Sequence, residues 1–154
     1  MEIFKLVFSP IDVNTYVLAD ASGECAVIDC GCYDRNEFRK LTGLVSGKKL
    51  KPVLLLNTHC HLDHLFGNRF FVEEYNLGAL CHKEDEYNRE SAVEQAVFFG
   101  LSMEAPPAPA GFLTGGQKVK FGDTELTALH VPGHTKGSLA FYSPKDSVVF
   151  TGDA

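Results

Sequence analysis

Apolar residues fall in short runs along the first part of the chain, a pattern that predicts strands. Ile3 to Phe8 alternates loosely until Ser9-Pro10 breaks it, and Thr15 to Leu18 and Cys25 to Ile28 are two further runs divided by the turn-forming Asp20-Ala21-Ser22-Gly23. The period then changes. Phe38, Leu41, Leu44 and Val45 recur at helical spacing between Asp34 and Leu50, with Asp34 as N-cap and Glu37 three positions on as the other half of a capping box. Lys51-Pro52 opens Val53 to Leu56, a continuous apolar run that predicts a strand buried on both faces.

Gly67 to Tyr75 and Glu84 to Phe99 read as helices on either side of a strand at Ala79 to His82. Leu101 to Gly116 carries Pro106, Pro107, Pro109, Gly111, Gly115 and Gly116, and a loop of this length is expected to act as a lid over a site. Four more strands follow at Lys118 to Phe121, Glu125 to Val131, Ser138 to Tyr142 and Ser147 to Thr151, with turns at Gly122-Asp123 and Pro144 to Asp146. No repeat or linker interrupts the pattern, so residues 1–154 are expected to form one domain of the α/β class.

The chemistry concentrates where the apolar run Val53 to Leu56 ends. His59-Cys60-His61-Leu62-Asp63-His64 offers four metal-ligand side chains in six residues, at the end of a buried strand, where layered α/β folds place their sites. If the segment is extended, His59, His61 and Asp63 share one face and His64 the other. A turn at Leu62-Asp63 would instead split the set between two ions. Cys60, between two of these residues, is expected to face away from them as a buried, inert thiol. His82 reads as a strand-end cap and His130 as a partner of a metal-bound imidazole rather than a ligand. The pair Phe98-Phe99 reads as core.

Composition narrows the function classes. Twenty acidic against fourteen basic residues leave a net charge of −6, which disfavours nucleic acid as a partner. No apolar run approaches the ~18 residues of a membrane span, and the N-terminal segment lacks the apolar core of a signal peptide. Five cysteines, an odd number, argue for reduced thiols. The expectation is a cytoplasmic protein acting on a small molecule.

Thr58-His59-Cys60-His61-Leu62-Asp63-His64 resembles the T-H-x-H-x-D-H signature of the metallo-β-lactamase superfamily. Pro132-Gly133-His134-Thr135-Lys136-Gly137-Ser138 resembles its P-G-H-T-x-G-S motif, and Thr151-Gly152-Asp153 its strand-ending G-D. Asn14-Thr15-Tyr16 and Ile28-Asp29-Cys30-Gly31 resemble its opening strands, so the likeness spans the whole chain, and within the family it is nearest to small glyoxalase II-like proteins. The resemblance implies a four-layer αββα sandwich. It implies up to two zinc ions, one held by His59, His61 and His134, the other by Asp63 and His64, with Asp153 bridging. Gly133 and Gly137 would let the backbone turn tightly around His134. The implied reaction is hydrolysis of a small thioester or ester by a metal-bound hydroxide, with Asp63 catalytic.

The family continues past its G-D motif with further strands, a helix and a last histidine ligand, whereas this chain stops at Ala154. The sandwich is therefore expected to lack those last elements and the second ion one ligand. Unpaired strand edges would then favour a homo-oligomer. Two other readings follow from the same resemblance. One is a mononuclear iron persulfide dioxygenase, using His59, His61, His134 and Asp153. The other is a metal-binding fragment without catalytic competence. A nuclease, also known in the family, is disfavoured by the acidic balance.

Overall fold

Residues 1–154 are described by the computed structural model, and their alternating pattern sorts them into two packed sheets. β1 (Glu2–Phe8), β2 (Val13–Ala19) and β3 (Glu24–Ile28) form an antiparallel meander. β4 (Lys51–Leu56), β5 (Ala79–Cys81) and β6 (Gly111–Phe112) extend it in parallel, giving six strands in sequence order. β7 (Lys118–Phe121), β8 (Thr124–His130), β9 (Leu139–Ser143) and β10 (Val148–Phe150) form a second, antiparallel sheet in the order β10-β9-β8-β7.

Successive side chains on β2, β3 and β4 point to opposite faces, and each face meets its own cover. Val17, Cys25, Val27 and Leu55 pack under α1 (Arg35–Gly47) and α3 (Asn68–Tyr75) through Phe38, Leu41 and Phe71. Leu18, Ala26, Ile28 and Leu56 pack against Leu126, Ala128, Leu139 and Phe141 of the second sheet. Burying each Leu or Phe contributes about 1.5–3 kcal/mol, so these two contacts set the layer order helix, sheet, sheet. Tyr142 and Val149 stay exposed on the outer face of the second sheet, where no helix of this chain packs. Three of the four expected layers are thus present.

Asp34 caps α1 as expected, accepting from Glu37 N at 2.8 Å. The reciprocal half of the box is absent: the Glu37 carboxylate turns away and accepts from Ser9 N, 3.0 Å to each oxygen, and from Tyr33 N at 2.7 Å. It thereby braces the β1–β2 turn. The expected helix from Glu84 to Phe99 is a 3-10 turn (Lys83–Asp85), then α4 (Glu86–Glu90) and α5 (Ala92–Phe98). The break falls at Ser91, whose Oγ donates to Tyr87 O at 2.8 Å and competes with a straight helix.

Phe98 and Phe99 are not core. They are 84 % and 62 % exposed, because α5 spends its one buried stripe on Ala92 and Ala96, four positions apart. The loop beginning at Leu101 is no lid either. It is pinned along the flank of α3 and the short α2 (Leu62–Leu65), with Ser102 N donating to Tyr33 Oη at 3.2 Å and Glu104 pairing with Arg69 at 2.6 Å. Leu101 and Met103 pack on the cluster of Leu62, Leu65 and Phe66.

Candidate metal centre

β4 runs out at Leu56, and the next residues are held from three sides. Leu139 N donates to Thr58 O at 2.7 Å, joining the two sheets at this point. The backbone stays extended through His61 (φ −66°, ψ 150°) and then coils into α2. That coil is the turn alternative raised by the spacing. It brings His64 back beside His59, ring centroids 4.0 Å apart. Asn57 fixes the coil by donating to His64 O at 3.0 Å, and Asn68 donates to Asn57 Oδ1 at 2.8 Å. His134 comes from the loop after β8 and Asp153 from the segment after β10. All six predicted residues therefore meet at the seam between the sheets.

They form two overlapping sets. Donor atoms of His59, His61 and His134 lie within 4.8 Å of one another, as do those of His59, His64 and Asp153. Asp63 Oδ2 is 3.6 Å from His64 Nε2, and Asp153 Oδ1 is 3.4 Å from it. Zn–N bonds of about 2.0–2.1 Å need donors on the order of 3.4 Å apart, so a small closure suffices. The tautomer of His59 fits a metal as well. Thr58 Oγ1 donates to Asp29 Oδ2 at 2.6 Å, so its remaining contact, His59 Nδ1 at 3.1 Å, must carry the proton. His59 Nε2 is then a bare lone pair, buried and without any hydrogen-bond partner. An orphaned acceptor of this kind costs stability unless a cation meets it.

The two sets differ in protonation. Burial, reinforced by the charge of His64, holds the His59 imidazole down to about 3, and burial followed by His134 lowers His61. His64 is buried too, but the carboxylates of Asp29, Asp153 and Asp63 outweigh desolvation and lift it to about 10. Its hydrogen bond to Asp153 brings that carboxyl down to about 2. Asp29 lies 3.0 Å from His64 Nδ1, an off-axis ion-pair contact. Desolvation of its carboxyl is outweighed by His64 and Thr58, leaving it below the usual range.

Metal uptake must therefore displace a proton at His64 but not at His59. Below pH 10 His64 holds its proton, so affinity for an ion bound through His64 rises about tenfold per pH unit between pH 6 and 9. His59 and His61, both held below the usual imidazole range, add little to the pH dependence over that range. Calorimetric titration in two buffers of different ionisation enthalpy counts the released proton. Equal pH dependence for both ions would show His64 to be neutral already.

Three residues that the sequence left without a role position these side chains. Asp29 ends β3 with φ 53° and accepts from Thr58 N at 2.8 Å as well as from Thr58 Oγ1. Thr58 itself relays between Asp29 and His59. Asp85, fully buried, accepts from Cys60 N (2.8 Å), Thr135 Oγ1 (2.9 Å) and Gly137 N (2.8 Å), so one carboxylate ties the first histidine segment to the loop carrying His134. Gly137 is required by this approach, since a Cβ there would lie 2.7 Å from Asp85 Oδ1. Gly133 has open space around it and no left-handed backbone, so the tight-turn role expected of it is not needed. Gly152 combines φ +59° with a Cβ position 2.3 Å from Thr58 Oγ1, which explains why glycine precedes Asp153.

Cys60 faces the apolar cluster of Leu62 and Cys81, and contact with Cys81 together with burial pushes its thiol far up. His82 caps the 3-10 turn through Glu84 N, and His130 Nε2 is 2.9 Å from Lys136 O. These two imidazoles stack at 4.2 Å and 10°, with Glu84 beside them. Parallel rings cannot aim both lone pairs at one ion, which separates this group from the centre at the seam.

A helix-sheet-sheet sandwich with histidines and carboxylates from both sheets at one seam defines a metal-handling α/β protein. Its residues 9–154 match the family model described as metallo-beta-lactamase superfamily, and the chain belongs to that superfamily of metal-dependent hydrolases. It is 32 % identical to the hydroxyacylglutathione hydrolase GloC of Haemophilus influenzae, covering 99 % of this chain and 71 % of the relative. The probable metallo-hydrolase YqgX of Bacillus subtilis is 26 % identical over 97 % of this chain and 69 % of its own length. Among solved structures, TTHA1623 in a di-iron-bound form superposes with a TM-score of 0.85 at 35 % identity, covering 97 % of this chain and 71 % of that one. The B3 metallo-beta-lactamase BLEG-1, at 24 % identity and a TM-score of 0.84, shares the fold. No helix is long and apolar enough to cross a membrane.

Proposed function

We propose that the protein is a metal-dependent hydrolase of small thioesters or esters, glyoxalase II-like, with zinc as its metal. The observation that carries this reading is the bare, buried Nε2 of His59 among six ligand-type side chains. His59, His61 and His134 would hold one ion, and Asp63, His64 and Asp153 a second. Divalent cations there would lower the pKa of a water to about 7 and polarise a carbonyl oxygen.

The chain's own residues do the rest. Thr58 keeps the His59 proton on Nδ1, and Asp29 keeps His64 turned with Nε2 toward the site. Asp63 lines the open cleft and would take the proton of the attacking water at a carboxylate oxygen, then pass it to the leaving thiolate. The acyl C–S bond breaks, a C–O bond to water forms, and acid and thiol leave. The GloC relative, named for hydroxyacylglutathione hydrolysis, supports a thioester. Five buried, free cysteines support a reducing, cytoplasmic setting, and the net charge of −6 supports a small molecule rather than nucleic acid as partner.

The test pairs metal analysis of the purified protein with thiol release from S-lactoylglutathione and simple acyl thioesters. Up to two zinc per chain and metal-dependent thiol release are expected. The di-iron form of TTHA1623 makes iron the metal to check against. One iron per chain with oxygen uptake on a persulfide would replace hydrolysis by the dioxygenase reading. No metal after reconstitution would overturn both.

A further inference from the structure

Beside the candidate centre lies a cleft of about 650 Å3 lined by Ile11, His61, Leu62, Asp63, Gln95 and Phe99. His61 and Asp63 put it in direct continuity with the ligand side chains. Its two walls are apolar side chains left partly open. Phe99, at the end of α5, is 62 % exposed, and Ile11, in the β1–β2 turn, is 46 % exposed. Large apolar groups left open on both sides of a polar floor mark a place where something apolar is covered on binding.

The Ile11 wall is built rather than loose. Ser9 and Asp12 flank it with φ of 68° and 59°, a conformation costing non-glycine residues about 1–2 kcal/mol. The turn is held by Ile11 N to Ser9 Oγ at 3.2 Å, Asp12 N to Ser9 O at 3.2 Å, and the Glu37 carboxylate on Ser9 N. A β-branched side chain is thus presented on a braced turn opposite an aromatic ring.

Charge completes the description. No lysine or arginine lines the cleft, and the adjoining recess of about 190 Å3 adds Asp12, Asp29 and Asp153 around the single imidazole of His64. Arg35, Arg69 and Arg89 are each committed to glutamates, Glu73, Glu104 and Glu86. Lys136 sits over the Tyr87 ring. On the Phe99 side, away from the ligand side chains, an anionic group would meet no lysine or arginine in the lining. An uncharged hydrocarbon group would cover Phe99 and Ile11, with the buried Leu62 at the base.

We infer that the acyl group of the substrate is apolar and uncharged, and that Phe99, Ile11 and Leu62 hold it. This rests on the hydrolase reading above and narrows it. The thiol half of the substrate lies outside this contact.

The test uses the metal-loaded full chain and neutral N-acetylcysteamine thioesters of acetate, butyrate, hexanoate and phenylacetate, with the succinyl thioester as anionic control. In a half-open cleft, kcat/KM is expected to rise about two- to fourfold per methylene, with succinyl at least about tenfold below hexanoyl. Phe99→Ser and Ile11→Ser should each flatten that rise, with metal content measured on the same samples. A flat chain-length series, succinyl matching hexanoyl, or an unaltered slope in both variants overturns the inference.

A second readout separates it from the hydrolase reading. Calorimetry measures binding of the corresponding ketone analogues, in which a methylene replaces the thioester sulfur. Affinity that rises with chain length and is lost in Phe99→Ser, without hydrolysis of any thioester, keeps the apolar cleft and removes the hydrolase. Affinity indifferent to chain length removes the cleft even where hydrolysis is present.

Discussion

In the Asp63→Asn variant, thioester hydrolysis is expected to fall about a thousandfold while the fold persists, the range in which losing a positioned acid–base group falls. Asn matches Asp in shape and reach, but its amide cannot take the proton of the attacking water. The replacement sits in the first turn of α2, where a carboxylate also meets the helix N-terminus, so it costs at most about 1 kcal/mol of stability. The lone pairs of His59, His61 and His134 are untouched, and an ion on those three should remain. Three measurements on one sample decide the point: kcat/KM, metal per chain and thermal midpoint. Unchanged hydrolysis would remove Asp63 from the chemistry. Loss of all metal together with activity would make Asp63 a ligand with no separate proton role.

The second large effect lies outside the ligand set. Asp85→Ala leaves Cys60 N and Gly137 N buried without their acceptor, and Thr135 Oγ1 with Ser138 Oγ alone. Each such orphan costs about 1–3 kcal/mol, partly offset because no charge need then be buried, so a net loss of about 3–5 kcal/mol is expected. At this chain length that lowers the melting temperature by on the order of 10 °C. His61 and His134, ring centroids 4.6 Å apart, are the side chains whose backbones the carboxylate aligns. Metal affinity should weaken by about 10–100-fold, as for other residues that orient ligands. Asp85→Asn discriminates between packing and charge: it restores the volume but turns an amide toward donors. If Asp85→Asn binds metal as the parent does, the role is packing alone.

Much of the sandwich was written in its periodicities, because period 2 and period 3.6 are imposed by the same burial that forms the core. The strands from Glu2 to Ile28 and from Lys118 to Phe150, and the helices at Arg35–Gly47 and Asn68–Tyr75, follow them within a few residues. The misses have local causes. The single helix predicted to Phe99 ignored a back-bonding serine at Ser91. The core assignment of Phe98 and Phe99 ignored that Ala92 and Ala96 already fill the buried stripe. The lid assigned to the loop after Leu101 ignored tethers, such as Arg69 to Glu104, that no spacing rule reports.

At the candidate centre, the six ligand-type residues were legible because each belongs to a dense local motif, and the structure gathers all six. Their supports were not. Asp29 was visible only as part of a strand end. Asp85 stands among Glu84 and Glu86 with nothing local to set it apart, since its three donors come from positions 25 to 52 residues distant.

The seam location carries a mechanical consequence. His59 and His61 extend from one sheet and His134 from the other, so an ion shared by them is a rivet through both halves of the sandwich. Beside the apolar face they share, the halves also meet here through Leu139 N to Thr58 O, the carboxylate of Asp85 and the contact of His64 with Asp153. An excursion that parts the sheets at this seam would have to pull the rivet. Release of an ion and opening of the sandwich at this seam would then be coupled, and an occupied centre would slow access of solvent and proteases.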